Sequence, residues 1–219
     1  MYLNDNRRWG IESYTMQAIQ IIRKTEQVTT TWSGGTTTEF AIFPPGAEYK
    51  KRDFFWRIST AVINDEKSVF TELPGFWRIL MVIDGELALT HEGHHVTTLR
   101  PFEQDQFSGG WETTSVGKAT DFNVMLAQGF EGNIETLMIE SGAEKLMPFT
   151  KTPPEKGSIS ILYTPHQDIH LVSDGYRGLL ERGDVLIVDG SQISEKWNLT
   201  LRNDNPLTMP IIYCNVYQS

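Results

Sequence analysis

Short stretches rich in Val, Ile, Thr and aromatic residues recur along the chain, punctuated at brief intervals by Gly, Pro, Asn or Asp. The pattern predicts strands over Thr36–Phe43, Phe54–Ile63, Arg78–Ile83, Glu86–Thr90, Asp121–Gln128, Glu135–Ile139, Ser158–Tyr163, Asp184–Val188 and Ile211–Tyr217. No window of a dozen residues places apolar positions at i, i+3, i+4 and i+7 without a Gly or Pro nearby, so helix is expected only as one-turn pieces. Many short strands separated by turns indicate an all-β sandwich or barrel.

Asp84-Gly85, between Arg78–Ile83 and Glu86–Thr90, carries the strongest hairpin signal, and Glu92-Gly93 the next. Together they predict a three-stranded meander. Lys145–Gly157 holds three prolines and few β-branched residues, which reads as a connection. The expected organisation is an N-terminal extension over 1–18, a first β unit over 19–144, a connection over 145–157 and a second unit over 158–219, packed as one body.

Alternation within the strands carries the chemistry, because residues i and i+2 of a strand point to one face. Arg57, Ser59 and Ala61 then share a face while Trp56, Ile58, Thr60 and Val62 share the other, so neither face is an ordinary solvated surface. The same reasoning groups Arg78 with Leu80 and Val82, and Asp121 and Asn123 with Met125. A guanidinium inside a core must find anionic or carbonyl partners, since an unpaired buried charge costs several kcal/mol, of that order. Asp121 can neutralise one arginine. The other is then free to hold a carboxylate in a bidentate fork, with Ser59, Asn123 and Thr71 orienting the ligand and Trp32 and Trp56 forming an apolar wall. The plainer alternative is a packing network in which Arg57 and Arg78 bind Asp121, Glu39 or Glu72. Large aromatics such as Trp32, Phe70, Phe122 and Trp77 are ordinarily core.

Composition narrows the partners. The 219 residues carry a net charge of −9, which repels nucleic acid and anionic lipid. The longest apolar runs, such as Ile79 to Ile83, fall far short of the roughly 18 residues that cross a bilayer. Met1 to Gln17 lacks the apolar segment of an export signal. A lone cysteine, Cys214, precludes an internal disulfide and points to a reducing, cytoplasmic setting. It reads as a small buried hydrophobe.

Four segments in order resemble the HutD/Ves family: Trp32-Ser33-Gly34-Gly35-Thr36; Trp56-Arg57-Ile58-Ser59-Thr60-Ala61; Phe70-Thr71-Glu72-Leu73-Pro74-Gly75 followed by Arg78; and Asp121-Phe122-Asn123-Val124-Met125. The resemblance runs from about Ile19 to Ser219 and is carried mainly by the first half. It implies a double-stranded β-helix bicupin, two packed cupin-like β-barrels in one chain, with roles linked to histidine utilisation or stress and no defined catalytic activity. Ala127-Gln128 and Gly110 depart from the family pattern, which places basic residues and an Asp there.

A metal-binding cupin places two His and a Glu ahead of a glycine. With Gly85 as that glycine, Arg78 stands at the Glu position and Glu72 to Pro74 at the His positions, while Val185 and Leu186 follow Gly183-Asp184 where the last His belongs. No cupin metal cage and no cofactor is therefore expected. The remaining imidazoles are the set His91, His94 and His95, read as a solvated hairpin tip with a zinc or nickel site as the sharper alternative, and the pair His166 and His170. No nucleophile elbow, phosphate loop or dinucleotide signature occurs.

These readings converge on a small-molecule binder whose site is Arg57, Ser59, Arg78, Thr71, Asn123, Asp121, Trp32 and Trp56. Its partner is a small anionic metabolite, a carboxylate or an acylated amino acid. An isomerase or hydrolase using Asp121 or Glu72 as base, and a protein-interaction module, are the alternatives. Exposed strand edges leave a homodimer open.

Overall fold

The computed structural model describes residues 18–153, 157–173, 176–193 and 195–219. The expected N-terminal extension lies outside them except for Ala18, as does the 154–156 portion of the expected connection. Helix among the described residues is confined to two one-turn 3-10 segments, Lys24–Glu26 and Tyr49–Lys51.

The strands in chain order are β1 (Ile19–Ile22), β2 (Val28–Trp32), β3 (Gly35–Phe43), β4 (Trp56–Ile63), β5 (Lys67–Val69), β6 (Phe76–Gly85), β7 (Leu87–His91), β8 (His95–Leu99), β9 (Gln104–Ser108) and β10 (Thr113–Val116). They continue with β11 (Ala119–Ala127), β12 (Phe130–Ile139), β13 (Glu144–Thr150), β14 (Ser158–Tyr163), β15 (Ile169–Ser173), β16 (Tyr176–Leu180), β17 (Val185–Asp189), β18 (Lys196–Arg202) and β19 (Met209–Gln218). They form four sheets: β5-β10-β7-β8, β2-β3-β4-β11-β6-β9, β1-β17-β14-β19-β12 and β13-β18-β15-β16.

The sheets stack as four layers in that order. Leu80 and Val82 of the six-stranded sheet pack on Leu87 and Leu89 of the first outer sheet. Its other face presents Trp56, Ile58, Met81 and Phe122 to Ile161, Ile187, Ile212 and Cys214 of the five-stranded sheet. That sheet in turn packs Leu186, Val188 and Ile211 on Leu171, Leu199 and Leu201 of the second outer sheet. Both faces of each central sheet are thus covered by a neighbouring layer, which is why their strands are the ones legible as largely hydrophobic runs.

Several expectations need correction. The halves are open sandwiches with free sheet edges, where closed barrels were expected. The division is also displaced: β1 pairs with β17 and β12 pairs with β19, so Ile19–Ile22 and Phe130–Ile139 belong to the second half. Arg23 locks this N-terminal segment in place through the buried Asp184, at 2.5 Å. Part of the expected connection is β13, which pairs with β18 despite Pro148. β13 is an edge strand, where a missing N–H is tolerated.

Asp84-Gly85 is not a hairpin turn. β6 and β7 lie in different sheets, and the chain crosses between layers at Gly85, whose φ of 85° and 2.2 Å approach of an added Cβ to the Lys118 carbonyl oxygen exclude a side chain. Glu92-Gly93 does turn a hairpin, β7 to β8. No helix among the described residues is long and apolar enough to cross a membrane.

Candidate functional site

The face of the six-stranded sheet that carries Leu80 and Val82, towards the first outer sheet, is where polar groups enter the core. Strand register sets them in rows across β3, β4, β11 and β6. Met125 lies opposite Arg57 on one side and Arg78 on the other. The next row holds Glu39, Ser59, Asn123 and Leu80, and the one beyond it Thr37, Ala61, Asp121 and Val82. With Tyr49 from the 3-10 turn, Trp32 from the end of β2 and Phe70 and Thr71 from the loop after β5, the residues of these rows other than Leu80 and Val82 line a cavity of about 490 Å³. The equivalent interior of the second half is filled by Leu, Ile, Met and Phe side chains. A smaller cavity there, about 230 Å³, is lined by Ser160, Tyr213, Asn215 and other uncharged residues.

The two arginines are both buried but differ in their partners. Arg57 Nε donates to Glu39 Oε2 at 2.6 Å, its Nη1 donates to Ser59 Oγ at 3.2 Å, and its guanidinium lies 4.6 Å from the centre of the Tyr49 ring. Arg78 sits between aromatic rings, 4.9 Å from Phe70 and 5.1 Å from Phe107. Its Nε has no hydrogen-bond partner, and no carboxylate among the described residues is within ion-pair distance of it. The carboxamide oxygen of Asn123 and the indole N–H of Trp32 are likewise buried without partners.

Burial depresses the Arg78 guanidinium to about 10, partly offset by Tyr49 and Asp121. The same desolvation pushes the Asp121 carboxyl up to about 7, against the opposing pull of Arg78 and a 3.2 Å hydrogen bond from the Ala61 amide. The cavity thus holds a buried cation without an ionic partner beside a carboxyl poised between its two forms.

The profile of the HutD family matches residues 24–209. The chain belongs to the HutD family. A protein of unknown function, PA5104 from Pseudomonas aeruginosa PAO1, is 24% identical with a TM-score of 0.72, covering 91% of this chain and 97% of that one. HutD from Pseudomonas fluorescens SBW25, in a structure from a formate condition, is 22% identical with a TM-score of 0.69, covering 92% and 100%. A variant of Bacillus subtilis oxalate decarboxylase shares 8% identity with a TM-score of 0.63, covering 95% and 79%. These likenesses establish an all-β, cupin-like fold.

In this HutD-family chain the sequence-derived site residues Arg57, Ser59, Arg78, Thr71, Asn123, Asp121 and Trp32 all line the one cavity. Trp56 does not. Alternation turns it to the opposite face, where it stacks on Phe43 at 5.6 Å in the core between the central sheets. Glu72 is exposed and holds Arg52 only through its backbone carbonyl. Trp77, expected in the core, is 42% exposed and meets Trp111 edge-on. Asp121 forms an ion pair with neither arginine, and Glu39 takes Arg57 instead. Tyr49 and Thr37 went unnoticed. Thr37 follows from the two-residue period of β3, but nothing local marks a tyrosine in a one-turn helix.

The imidazoles also differ from expectation. His91 ends the inward face of β7 after Leu87 and Leu89, so it is buried while His94 and His95 are exposed. Burial pulls its imidazole below the ordinary value, against the raising effect of Asp105. His166 faces Asp84 and His170 faces Asp204, so that pair does not converge.

Proposed function

We propose that this chain is a binding protein for a small carboxylate, an acylated amino acid being the fullest match, in an accessory or regulatory metabolic role within the cytoplasm. One observation carries the reading: Arg78 is buried without an anionic partner in the lining of a cavity large enough for a metabolite. An incoming carboxylate supplies the missing acceptors in bidentate form. The unpartnered Asn123 oxygen accepts a donor such as an amide N–H two positions away in the ligand, and Trp32 donates from the wall. Phe70, Met125 and Trp32 provide the apolar surface that pockets of this kind use for affinity. The acidic exterior does not concentrate anions, so selectivity resides in the interior.

The test is a thermal-shift and calorimetric titration of the full-length protein with formate, acetate and N-acetylated amino acids. A ligand present at 100 times its dissociation constant stabilises by about 2.7 kcal/mol. Binding by wild type that Arg78→Met abolishes supports the reading. Absence of binding by every carboxylate at millimolar concentration, or binding unaffected by Arg78→Met, ends it.

A second reading rests on Asp121, whose buried carboxyl is pushed to about 7 beside a cationic anchor, the condition of a general acid-base group. It predicts slow conversion of a bound acid that Asp121→Asn stops while binding persists, followed by NMR of the ligand.

A further inference from the structure

The hairpin from β7 to β8 and the strand β9 bring a second constellation together, outside the arginine cavity. His91 and His95 lie directly opposite each other across the hairpin. Asp105 reaches both: its Oδ2 is 2.9 Å from His91 Nε2 and 2.9 Å from His95 Nε2. One ligand atom from each of the three lies within 4.8 Å of the others.

The hydrogen bonds behind His91 set its orientation. Its Nδ1 is 2.9 Å from Thr113 Oγ1, and that hydroxyl also donates to the Trp111 carbonyl at 3.3 Å. With its proton given to the carbonyl, the hydroxyl accepts from Nδ1–H. In the tautomer with Nδ1–H towards Thr113, the Nε2 lone pair of His91 points at the Asp105 carboxylate 2.9 Å away, the disposition in which both can ligate one cation. Packing fixes the arrangement, since the His91 ring lies 4.4 Å from Phe107 and Trp111 stacks on His94 at 3.7 Å.

We propose that His91, His95 and Asp105 form a binding site for a divalent transition-metal ion of the zinc type. Two imidazole nitrogens and one carboxylate oxygen are a borderline donor set that suits zinc, nickel or copper, whereas magnesium and calcium take oxygen ligands almost throughout. The exposed side of His95 leaves a further coordination position to water. Thr113 acts behind the ligands, holding the His91 ring in the tautomer that coordinates. Phe107 touches both His91 and Arg78, so the site adjoins the anion cavity without sharing a ligand with it.

The experiment is a titration of zinc alone into chelator-treated full-length protein, read by calorimetry and by melting temperature. Wild type binds one zinc per chain and its melting temperature rises. His95→Ala, at the protein surface, keeps the metal-free melting temperature and loses the zinc response, and Asp105→Asn, at a half-buried position, loses the zinc response relative to its own metal-free melting temperature. Thr113→Val retains the ligands and binds about 10- to 100-fold more weakly. Cobalt bound in place of zinc gives visible absorption in wild type that is absent from His95→Ala. No zinc binding by wild type at micromolar concentration, or binding undiminished in both ligand variants, overturns the proposal. Neither result bears on the carboxylate response of Arg78, which is measured separately.

Discussion

Arg78 and Asp121 stand on neighbouring strands of one sheet face, yet Asp121 lies opposite Val82, so the two charges feel each other without forming an ion pair. The register offset leaves the guanidinium unsatisfied and the carboxyl hard to ionise. Both consequences are measurable.

The first concerns stability against pH. Asp121 has a folded value of about 7 against 3.8 for the free side chain. Below the lower value the group is protonated in both folded and unfolded chains. Between the two the folded protein keeps a proton that the unfolded chain has released, so this contribution to stability is lost as pH rises towards 7. The local slope is at most about 1.4 kcal/mol per pH unit. Asp121→Asn removes that slope, and chemical denaturation of both proteins from pH 4.5 to 8 reads the difference.

Anion affinity follows the same titration. Protonating Asp121 removes the negative charge nearest Arg78 that competes with an incoming carboxylate. Acetate therefore binds more tightly at pH 6 than at pH 8 in wild type, while Asp121→Asn binds with little change over that range. Isothermal titration at the two pH values tests this, and equal wild-type affinities would contradict it.

Removing the buried cation affects the empty protein as well. Arg78→Met keeps the apolar stem between Phe70 and Phe107 and deletes a charge whose Nε has no partner. Ligand-free Arg78→Met is expected to melt above wild type, since a desolvated, incompletely satisfied charge is replaced by an apolar group of similar shape. A lower melting temperature in ligand-free scanning calorimetry would mean that the aromatic contacts outweigh desolvation.

Trp56 separates packing from binding. It stacks on Phe43 in the layer between the central sheets, and its truncation to Ala should destabilise by about 3–5 kcal/mol. At a temperature where Trp56→Ala remains folded, its response to carboxylates should equal that of wild type.

Cys214 offers a check on the same layer. It is buried in the core between the central sheets, where desolvation pushes its thiol well above the ordinary range. Iodoacetamide should leave it unmodified in the native protein and alkylate it on unfolding in guanidinium, as mass spectrometry would report.

Much of this was legible along the chain, and what was legible has a common physical origin. The two-residue period of a strand is local, so Arg57 with Ser59 and Asp121 with Asn123 and Met125 could be assigned to shared faces from sequence. The central strands were visible because burial on both sides makes them continuously apolar. Outer strands such as Lys67–Val69, Thr113–Val116 and Lys196–Arg202 keep one face in water, and the first two are also short, so their patterns do not stand out from loops.

What sequence determined by itself was therefore the class of fold, the faces of the central strands and the presence of cations in an apolar interior. What tertiary structure decided was pairing. Which carboxylate meets which arginine, which half receives Ile19–Ile22, and whether Asp105 comes to His91 and His95 all depend on strand register and sheet order. Those are contacts between residues far apart in the chain, and a local pattern of side chains holds no record of them.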